Sequence, residues 1–394
     1  MDTPVSVLEI TSNAVKLVVG YALDNRPIIL YSGTYFTGVN LTSGEDFDET
    51  NIVEGIHNLV SEAEATVEFP IEKVIFGIPA VHLAVYQDTP SIPPLNEDGK
   101  VSKVDVQNVF KRIRRNNFED KQIVNILPVK YTLDNGRTFL TIPEGEVTSL
   151  LRIDCFLYLI PKTVYERYTK VVSDAGLSII FTFINEYALS ALLKQTAQLP
   201  QTYYVVDIGA KTTSISFIND KKLYFGDFIP VGSDDLTALI SERLNVTLND
   251  ANDIKRYFGY EEKVHEFNMP LPLNNSDAKI YQNDLNAVIK DYFATLFTKI
   301  TEAIKTMETS YSLSVNNVTY PLFYTGGGAS INGFKALVKL FTPNFEPEVL
   351  VPTAIGARNS AYAVSLGLIL SYNEYEDQIG DERSDVSSLT RENN

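Results

Sequence analysis

Two acidic residues, Glu9 and Asp207, each stand near the end of an apolar run and are followed by a short turn of small and polar residues. The first stretch reads Val7-Leu8-Glu9-Ile10-Thr11-Ser12-Asn13-Ala14-Val15-Lys16-Leu17-Val18-Val19, and the second Val205-Val206-Asp207-Ile208-Gly209-Ala210-Lys211-Thr212-Thr213-Ser214-Ile215-Ser216-Phe217. Each reads as a buried strand, a carboxylate, a tight turn and a returning strand. Such a turn aims backbone N–H groups and hydroxyls into one small volume, which suits a phosphate. The neighbouring carboxylate can hold a divalent cation, usually through water. Two such turns facing one another would clamp a nucleotide's phosphates across a cleft between related lobes. A third turn, Thr325-Gly326-Gly327-Gly328-Ala329-Ser330, follows the strand-like Pro321-Leu322-Phe323-Tyr324. Its three glycines let backbone approach a flat ring with no Cβ in the way.

The elements that must position these turns are legible as patterns. Residues 5–36 read as strands, 51–64 as a helix carrying Ile52, Ile56, Leu59 and Val60, and 73–78 as a strand stopped by Pro79. Strands, a helix and a further strand predict an α/β layer. The texture changes near 83, where Pro90, Pro93, Pro94 and Gly99 interrupt the chain. A helix over 104–115, strands over 123–132 and 150–159, and a turn at Asp134-Asn135-Gly136 make 83–160 a small inserted α+β unit. A helix over 164–175 ends at Gly176. Further helices are expected over 234–244, 248–258, 331–340 and 360–370, with an exposed loop over 261–278. The clearest helix spans 284–309, where Leu285, Val288, Ile289, Tyr292, Phe293, Leu296, Phe297, Ile300, Ile304 and Met307 recur at three and four. Residues 371–394 are polar and acidic and are expected to be disordered.

Composition removes several classes of function. The 394 residues carry a formal charge of −17, which argues against nucleic acid as a partner and against adhesion of the folded body to an anionic membrane. The one cysteine, Cys155, excludes an internal disulfide framework and fits a reducing cytoplasm. No basic and apolar leader is present at Met1-Asp2-Thr3-Pro4, and no apolar run approaches bilayer length. His57, His82 and His265 are dispersed and have no metal-ligand spacing. The basic run Lys111-Arg112-Ile113-Arg114-Arg115 reads as a solvated helix face, with a protein–protein contact as the alternative, and Val106, Phe110 and Ile113 put an apolar stripe on its other side. The sequons at Asn40-Leu41-Thr42 and Asn245-Val246-Thr247 are read as coincidental.

Three nucleotide-facing turns in this order resemble the actin and sugar-kinase ATPase superfamily. The chain is most similar to the FtsA family of actin-like bacterial cell-division proteins. Leu127-Pro128-Val129-Lys130-Tyr131, Val206-Asp207-Ile208-Gly209, Ile229-Pro230-Val231-Gly232, Ile254-Lys255-Arg256-Tyr257-Phe258-Gly259 and Thr325 to Gly333 carry the resemblance over about 5–372. It implies an α/β actin-like ATPase fold: two related lobes, duplicated ribonuclease H-like domains, with an inserted FtsA-type α+β subdomain in the first. The divisions it implies are 1–82 with 161–200 as first-lobe core, 83–160 as the insertion, 201–242 with 306–372 as second-lobe core, 243–305 as second-lobe outer subdomain, and 373–394 as a disordered acidic tail. By the same resemblance ATP and Mg2+ are the cofactors. Glu9 and Asp207 take the metal-side acidic positions, and Ser12, Asn13 and Lys16 face the phosphates. Gly209, Ala210, Lys211 and Thr212 form the second turn, Lys255 reaches toward the ribose, and Gly326, Gly327 and Gly328 approach the adenine. Glu186 takes the place of a water-positioning, catalytic side chain.

Four departures bear on activity. Thr11 and Lys211 stand at glycine positions, Asn252 replaces an acid beside Lys255, and Tyr187 replaces a proline after the glutamate. ATP binding with at most weak hydrolysis is therefore expected, because small misplacements of catalytic groups are costly. The partners implied are the chain itself as a filament, the C-terminal peptide of FtsZ on the second-lobe outer subdomain near Lys290, Lys299 and Lys305, and other division proteins on the insertion. The place implied is the cytoplasmic face of the membrane at the division site. Residues 385–394 have neither the apolar nor the basic face of a membrane-lying helix, so the anchor is not evident in the chain. The alternatives are a PilM-like pilus-assembly protein and a small-molecule kinase or phosphatase of the same superfamily.

Overall fold

The computed structural model of the chain describes residues 3–37, 48–116, 118–195, 199–263, 269–311, 320–342 and 348–379. The duplication read from the two hairpins extends to whole sheets. In the first, β1 (Val5–Ile10) and β2 (Ala14–Leu23) form an antiparallel hairpin and β3 (Arg26–Phe36) pairs antiparallel with β2. On the other side β4 (Lys73–Ile78) lies parallel to β1, and β10 (Ser178–Ile184) lies parallel to β4. In the second sheet β11 (Thr202–Ile208), β12 (Thr213–Asn219) and β13 (Lys222–Ile229) repeat the antiparallel meander. There β14 (Leu322–Thr325) and β15 (Glu348–Val349) repeat the parallel pair. Strand order is β10-β4-β1-β2-β3 in one and, correspondingly, β15-β14-β11-β12-β13 in the other.

The central strands are apolar along their length because helices cover both faces. Val7, Leu8, Ile10, Val74, Ile75 and Phe76 are fully buried. Helix α1 (Glu49–Val67) packs on the first sheet through Ile52, Ile56, Leu59 and Ala63. It begins at Asp48, whose carboxylate accepts the Asn51 N–H at 3.0 Å, and ends at Glu68 with φ 61°. Helix α4 (Asn185–Leu193) is buried at every residue from Glu186 to Leu193, with the first-sheet core on one side and β13 of the second lobe on another.

Between β4 and β10 a third, antiparallel sheet is inserted: β5 (Ala84–Asp88), β6 (Ser91–Ile92), β7 (Lys121–Leu133), β8 (Thr138–Phe139) and β9 (Leu151–Pro161). The Asp134-Asn135-Gly136 turn joins β7 to β8, with Gly136 at φ 82°. Helix α2 (Lys103–Arg114) closes this unit by burying Val106, Val109, Phe110 and Ile113. Cys155 is buried in β9. Helix α3 (Lys162–Asp174) is followed by Gly176 at φ 77° and returns the chain to the first lobe. In the second lobe α5 (Ser233–Leu244), α6 (Leu248–Tyr257) and α7 (Gln282–Ser310) enclose a separate core with α8 (Phe334–Phe341). Every apolar position predicted for α7 is buried or packed against that core.

Four expectations differ from the structure. The helix expected from 331 begins at Phe334, because Gly327–Ser330 forms a 3-10 turn and Gly333 takes φ 77°. The helix expected over 360–370 starts with a 3-10 turn, Ser360–Tyr362, and continues as α9 (Ala363–Ile379). Residues 373–379 are therefore helix and not tail: Tyr375 and Ile379 supply apolar anchors that the surrounding acids obscure. Moreover α9, expected with the second-lobe core, buries Val364, Leu366, Leu368 and Ile369 in the first-lobe core. Residues 380–394, the Asn40 sequon and His265 lie outside the described residues.

Candidate functional site

The two hairpins close by the same hydrogen bond. Thr11 N–H donates to the Ala14 carbonyl at 2.8 Å, and Gly209 N–H donates to the Thr212 carbonyl at 2.8 Å. Thr11 makes up for the missing glycine with its side chain. Its hydroxyl donates to the Ala14 carbonyl at 3.0 Å and accepts the Ala14 N–H at 3.1 Å. Neither Thr11 nor Lys211 has a positive φ, so neither departure strains the turn.

The hairpins face each other and touch. Lys211 N–H donates to Ser12 Oγ at 3.2 Å across the lobes, and Asn13 hydrogen-bonds the Asp234 carboxylate. Between and around them lies a cavity of about 870 Å3. Glu9, Ser12, Asn13, Lys16, Glu186, Asp207, Gly209, Ala210, Thr212, Lys255 and Gly326 to Gly328 all line it. Of the residues predicted for the site, the Lys211 side chain does not line the cavity; its backbone N–H makes the cross-lobe contact.

Equivalent positions in the two hairpins carry different chemistry. Glu9 is directly opposite Lys16 across β1 and β2, and the pair forms a salt bridge at 3.1 Å with both side chains largely buried. Glu9 also accepts the Ser365 hydroxyl at 2.7 Å, while Lys16 Nζ donates to the Ala361 carbonyl. Both oxygens of Glu9 are thus engaged within the protein. Asp207 is opposite Ser214, a neutral residue. Burial raises the Asp207 carboxyl to about 6, against the nearby Lys16 ammonium, which lowers it, and Glu9, which raises it.

Glu186 begins α4 in the same cavity and takes the Ala80 N–H on Oε2 at 3.1 Å. Burial raises its carboxyl to about 7; the Asp207 charge adds to the rise, and hydrogen bonds from Ala80 and Ser214 oppose it. Lys255 is buried, which lowers its pKa, and it donates to the Ser233 carbonyl at 3.0 Å and Thr237 Oγ1 at 2.5 Å. Asp234, raised by burial, also faces the cavity and was missed from sequence. Its signal was the turn Ile229-Pro230-Val231-Gly232, after which the Asp234 and Ser233 N–H groups donate to the Ala210 and Gly209 carbonyls of the second hairpin.

The glycine turn is used in two ways. A Cβ on Gly326 would collide with Asp207 Oδ1, and one on Gly328 with the Ile208 side chain. These glycines let the third turn lie against the end of β11. Gly327 meets nothing within 4 Å and faces open space.

Four carboxylates (Glu9, Glu186, Asp207, Asp234) and three cations (Lys16, Lys255, Arg256) line the cavity. A polyphosphate therefore needs an added cation to be held there. Among the described residues no group of three or more His, Cys, Asp or Glu could hold a metal alone. The donor set instead fits Mg2+, which takes one or two carboxylates together with phosphate oxygens and water.

Two related sheets, hairpins meeting over one cleft and a unit inserted into the first lobe define an actin-like ATPase fold. The structure of a PilM–PilN type IV pilus biogenesis complex matches with a TM-score of 0.59 at 17% identity, covering 94% of this chain and 99% of that one. MreB5 of Spiroplasma citri bound to AMPPNP matches with a TM-score of 0.54 at 12% identity, covering 98% of each chain. The family model for cell division protein FtsA matches residues 204–367. FtsA of Enterococcus hirae is 28% identical over 371 residues, 92% of this chain and 81% of that protein. The chain is similar to the FtsA cell division proteins over nearly all of its length.

Proposed function

We propose that the protein binds Mg·ATP between its lobes, assembles head to tail as an actin-like filament, and links FtsZ to the membrane and to other division proteins. The observation that supports this best is the meeting of the two hairpins over one cavity, through Lys211 N–H and Ser12 Oγ. In this reading Asp207 supports the cation with the phosphates. Ser12, Asn13, Lys16 and the second turn, Gly209, Ala210, Lys211 and Thr212, hold phosphate oxygens. Lys255 serves the ribose, and Gly326, Gly327 and Gly328 form the base wall. The cation supplies the positive charge that the cavity's own side chains lack. Glu9 is the partner that fixes Lys16, and reaches a metal only through water, since Lys16 and Ser365 occupy its oxygens.

Glu186, held by Ala80 and Ser214 and titrating near neutrality, suits a group that orients water or takes its proton. Turnover is slow in this reading, because nucleotide binding serves assembly. The first-lobe core, the insertion (83–160) and the outer subdomain (243–305) then take the roles that the family implies. The last of these receives the FtsZ C-terminal peptide near Lys290, Lys299 and Lys305. The chain acts at the inner membrane face; among the described residues no helix is long and apolar enough to cross a membrane.

Calorimetric titration with Mg·ATP, followed by sedimentation with and without nucleotide, tests the reading. Binding is expected for the native chain, with at least tenfold weakening, about 1.4 kcal/mol, in Asp207→Ala. Equal affinity in the two proteins removes Asp207 from the site. Absence of nucleotide-dependent pelleting removes the filament.

A further inference from the structure

Apart from the Ser365 contact to Glu9, helix α9 is unused in the proposed nucleotide site, yet it touches both the phosphate hairpin and the inserted unit. We propose that α9 couples nucleotide binding to the docking of the inserted sheet, with Ser365 as the positioning residue at its cleft end. The proposal rests on the reading of the cleft as a nucleotide site.

At the cleft end, the Ala361 carbonyl and Glu9 take two of the three Lys16 donors, and the fully buried Ser365 hydroxyl holds Glu9 at 2.7 Å. The segment leading into α9 therefore sets where the Lys16 ammonium lies. Along its middle α9 has no slack. A Cβ on Gly367 would collide with the Ala188 carbonyl, so α9 and α4 pack backbone to backbone. Glu374 pairs with Lys194 at the end of α4 at 2.5 Å. The Tyr375 ring lies 4.4 Å from that of Phe181 on β10.

At the far end, Ile379 is fully buried in the core of the inserted unit. The last carbonyls of a helix lack partners within it. Here α2 of the inserted unit supplies them: Lys103 Nζ donates to the Asp377 carbonyl at 2.9 Å, and Gln107 Nε2 to the Ile379 carbonyl at 2.9 Å. Ser365 and Ile379 are about 21 Å apart along the helix axis. A helix packed along its length carries a displacement from one end to the other, because close-packed interfaces do not deform continuously.

A second route from cleft to insertion exists through β13. His82 lies edge-on to Phe228 at 6.3 Å, and Phe156 to Tyr224 at 5.2 Å. The experiment must separate the two. Hydrogen exchange of the full chain is measured by mass spectrometry over residues 103–114, with and without Mg·ATP, at concentrations that calorimetry shows to fill the site. Native protein is expected to change its exchange there by about fivefold or more, the lower end of ordinary site-to-site coupling. Ser365→Ala, filled with nucleotide, is expected to lose that change while the β13 contacts stay intact. Ile379→Ala, cut at the other end, is expected to lose it too, and by reciprocity to shift the ATP Kd by the same factor.

Absence of binding heat in the native protein overturns the nucleotide site and this proposal with it. Binding with unchanged exchange in α2 overturns the coupling alone. A full-strength change that persists in filled Ser365→Ala assigns the route to β13 and overturns the role of α9. An unchanged Kd in Ile379→Ala does the same.

Discussion

Replacing Glu186 by glutamine should remove a pH dependence that the fold imposes on itself. The native carboxyl is raised from 4.5 to about 7, chiefly by burial. A raised acid favours the folded state below its unfolded pKa, and that advantage is lost as pH climbs through the folded value. Glu186 therefore contributes fully below about pH 4.5, and its contribution is gone above about pH 7. The shift corresponds to roughly 3 kcal/mol. Glutamine keeps an acceptor for the Ala80 N–H but cannot ionise. The variant and the native protein should match near pH 4.5 and diverge as pH rises, with the variant more stable at pH 8. Unfolding entropy near 2.1 cal/mol/K per residue over 394 residues turns roughly 3 kcal/mol into a Tm difference of about 4 °C. Asp207 titrates in the same window, but it is present in both proteins and largely cancels in the difference. Differential scanning calorimetry without nucleotide, from pH 4.5 to 8, is the assay. A Tm difference that stays flat over that range refutes the assignment of a neutral, buried Glu186.

Gly326→Ala and Gly327→Ala should behave differently although they are neighbours. Gly326 has φ 89° and ψ 170°, a region that only glycine enters without strain of about 1–3 kcal/mol, and its Cβ would strike Asp207. Denaturant titration should show a loss above about 2 kcal/mol for Gly326→Ala and within about 1 kcal/mol for Gly327→Ala; equal losses would contradict the packing of this turn on β11. In the outer part of the second lobe, Asp250 takes hydrogen bonds from Ser276 Oγ at 2.5 Å, Asn274 N–H at 2.8 Å and Thr247 Oγ1 at 3.1 Å. The Ser276 bond leads in lowering its pKa to about 2, so its contribution is present above about pH 4 and fades as pH falls toward 2. Cleavage near 274–276 by an acid protease should rise over that interval in the native protein and be high throughout in Asp250→Ala; identical profiles would show that Asp250 does not anchor the loop.

The hairpins were legible because each combines an apolar strand, a carboxylate and a turn within thirteen residues. Helix α7 was legible because one face meets the core and the other meets water, which is the arrangement periodicity detects. Helix α4 gave no such signal. It is buried all round, so Tyr187 to Leu193 shows no polar face to set the period. The end of α9 was hidden for the opposite reason. Glu374, Glu376 and Asp377 resemble a solvated tail, while the apolar anchors of the segment, Tyr375 and Ile379, act through partners far away in sequence. The glycine turn was located correctly, but only coordinates could show that Gly326 and Gly328 spend their freedom on Asp207 and Ile208. Which side of a residue a neighbour occupies is not written in spacing.

The two halves of the molecule have kept one backbone and diverged in charge. At matching points on β1 and β11, one acid is tied to a lysine across its hairpin and the other looks across at a serine. A guest entering between such halves meets a carboxylate paired with a lysine on one side and, on the other, a carboxylate with no cation across its hairpin. Its orientation is thereby dictated, so a duplicated frame gains a direction that its symmetry alone would deny it.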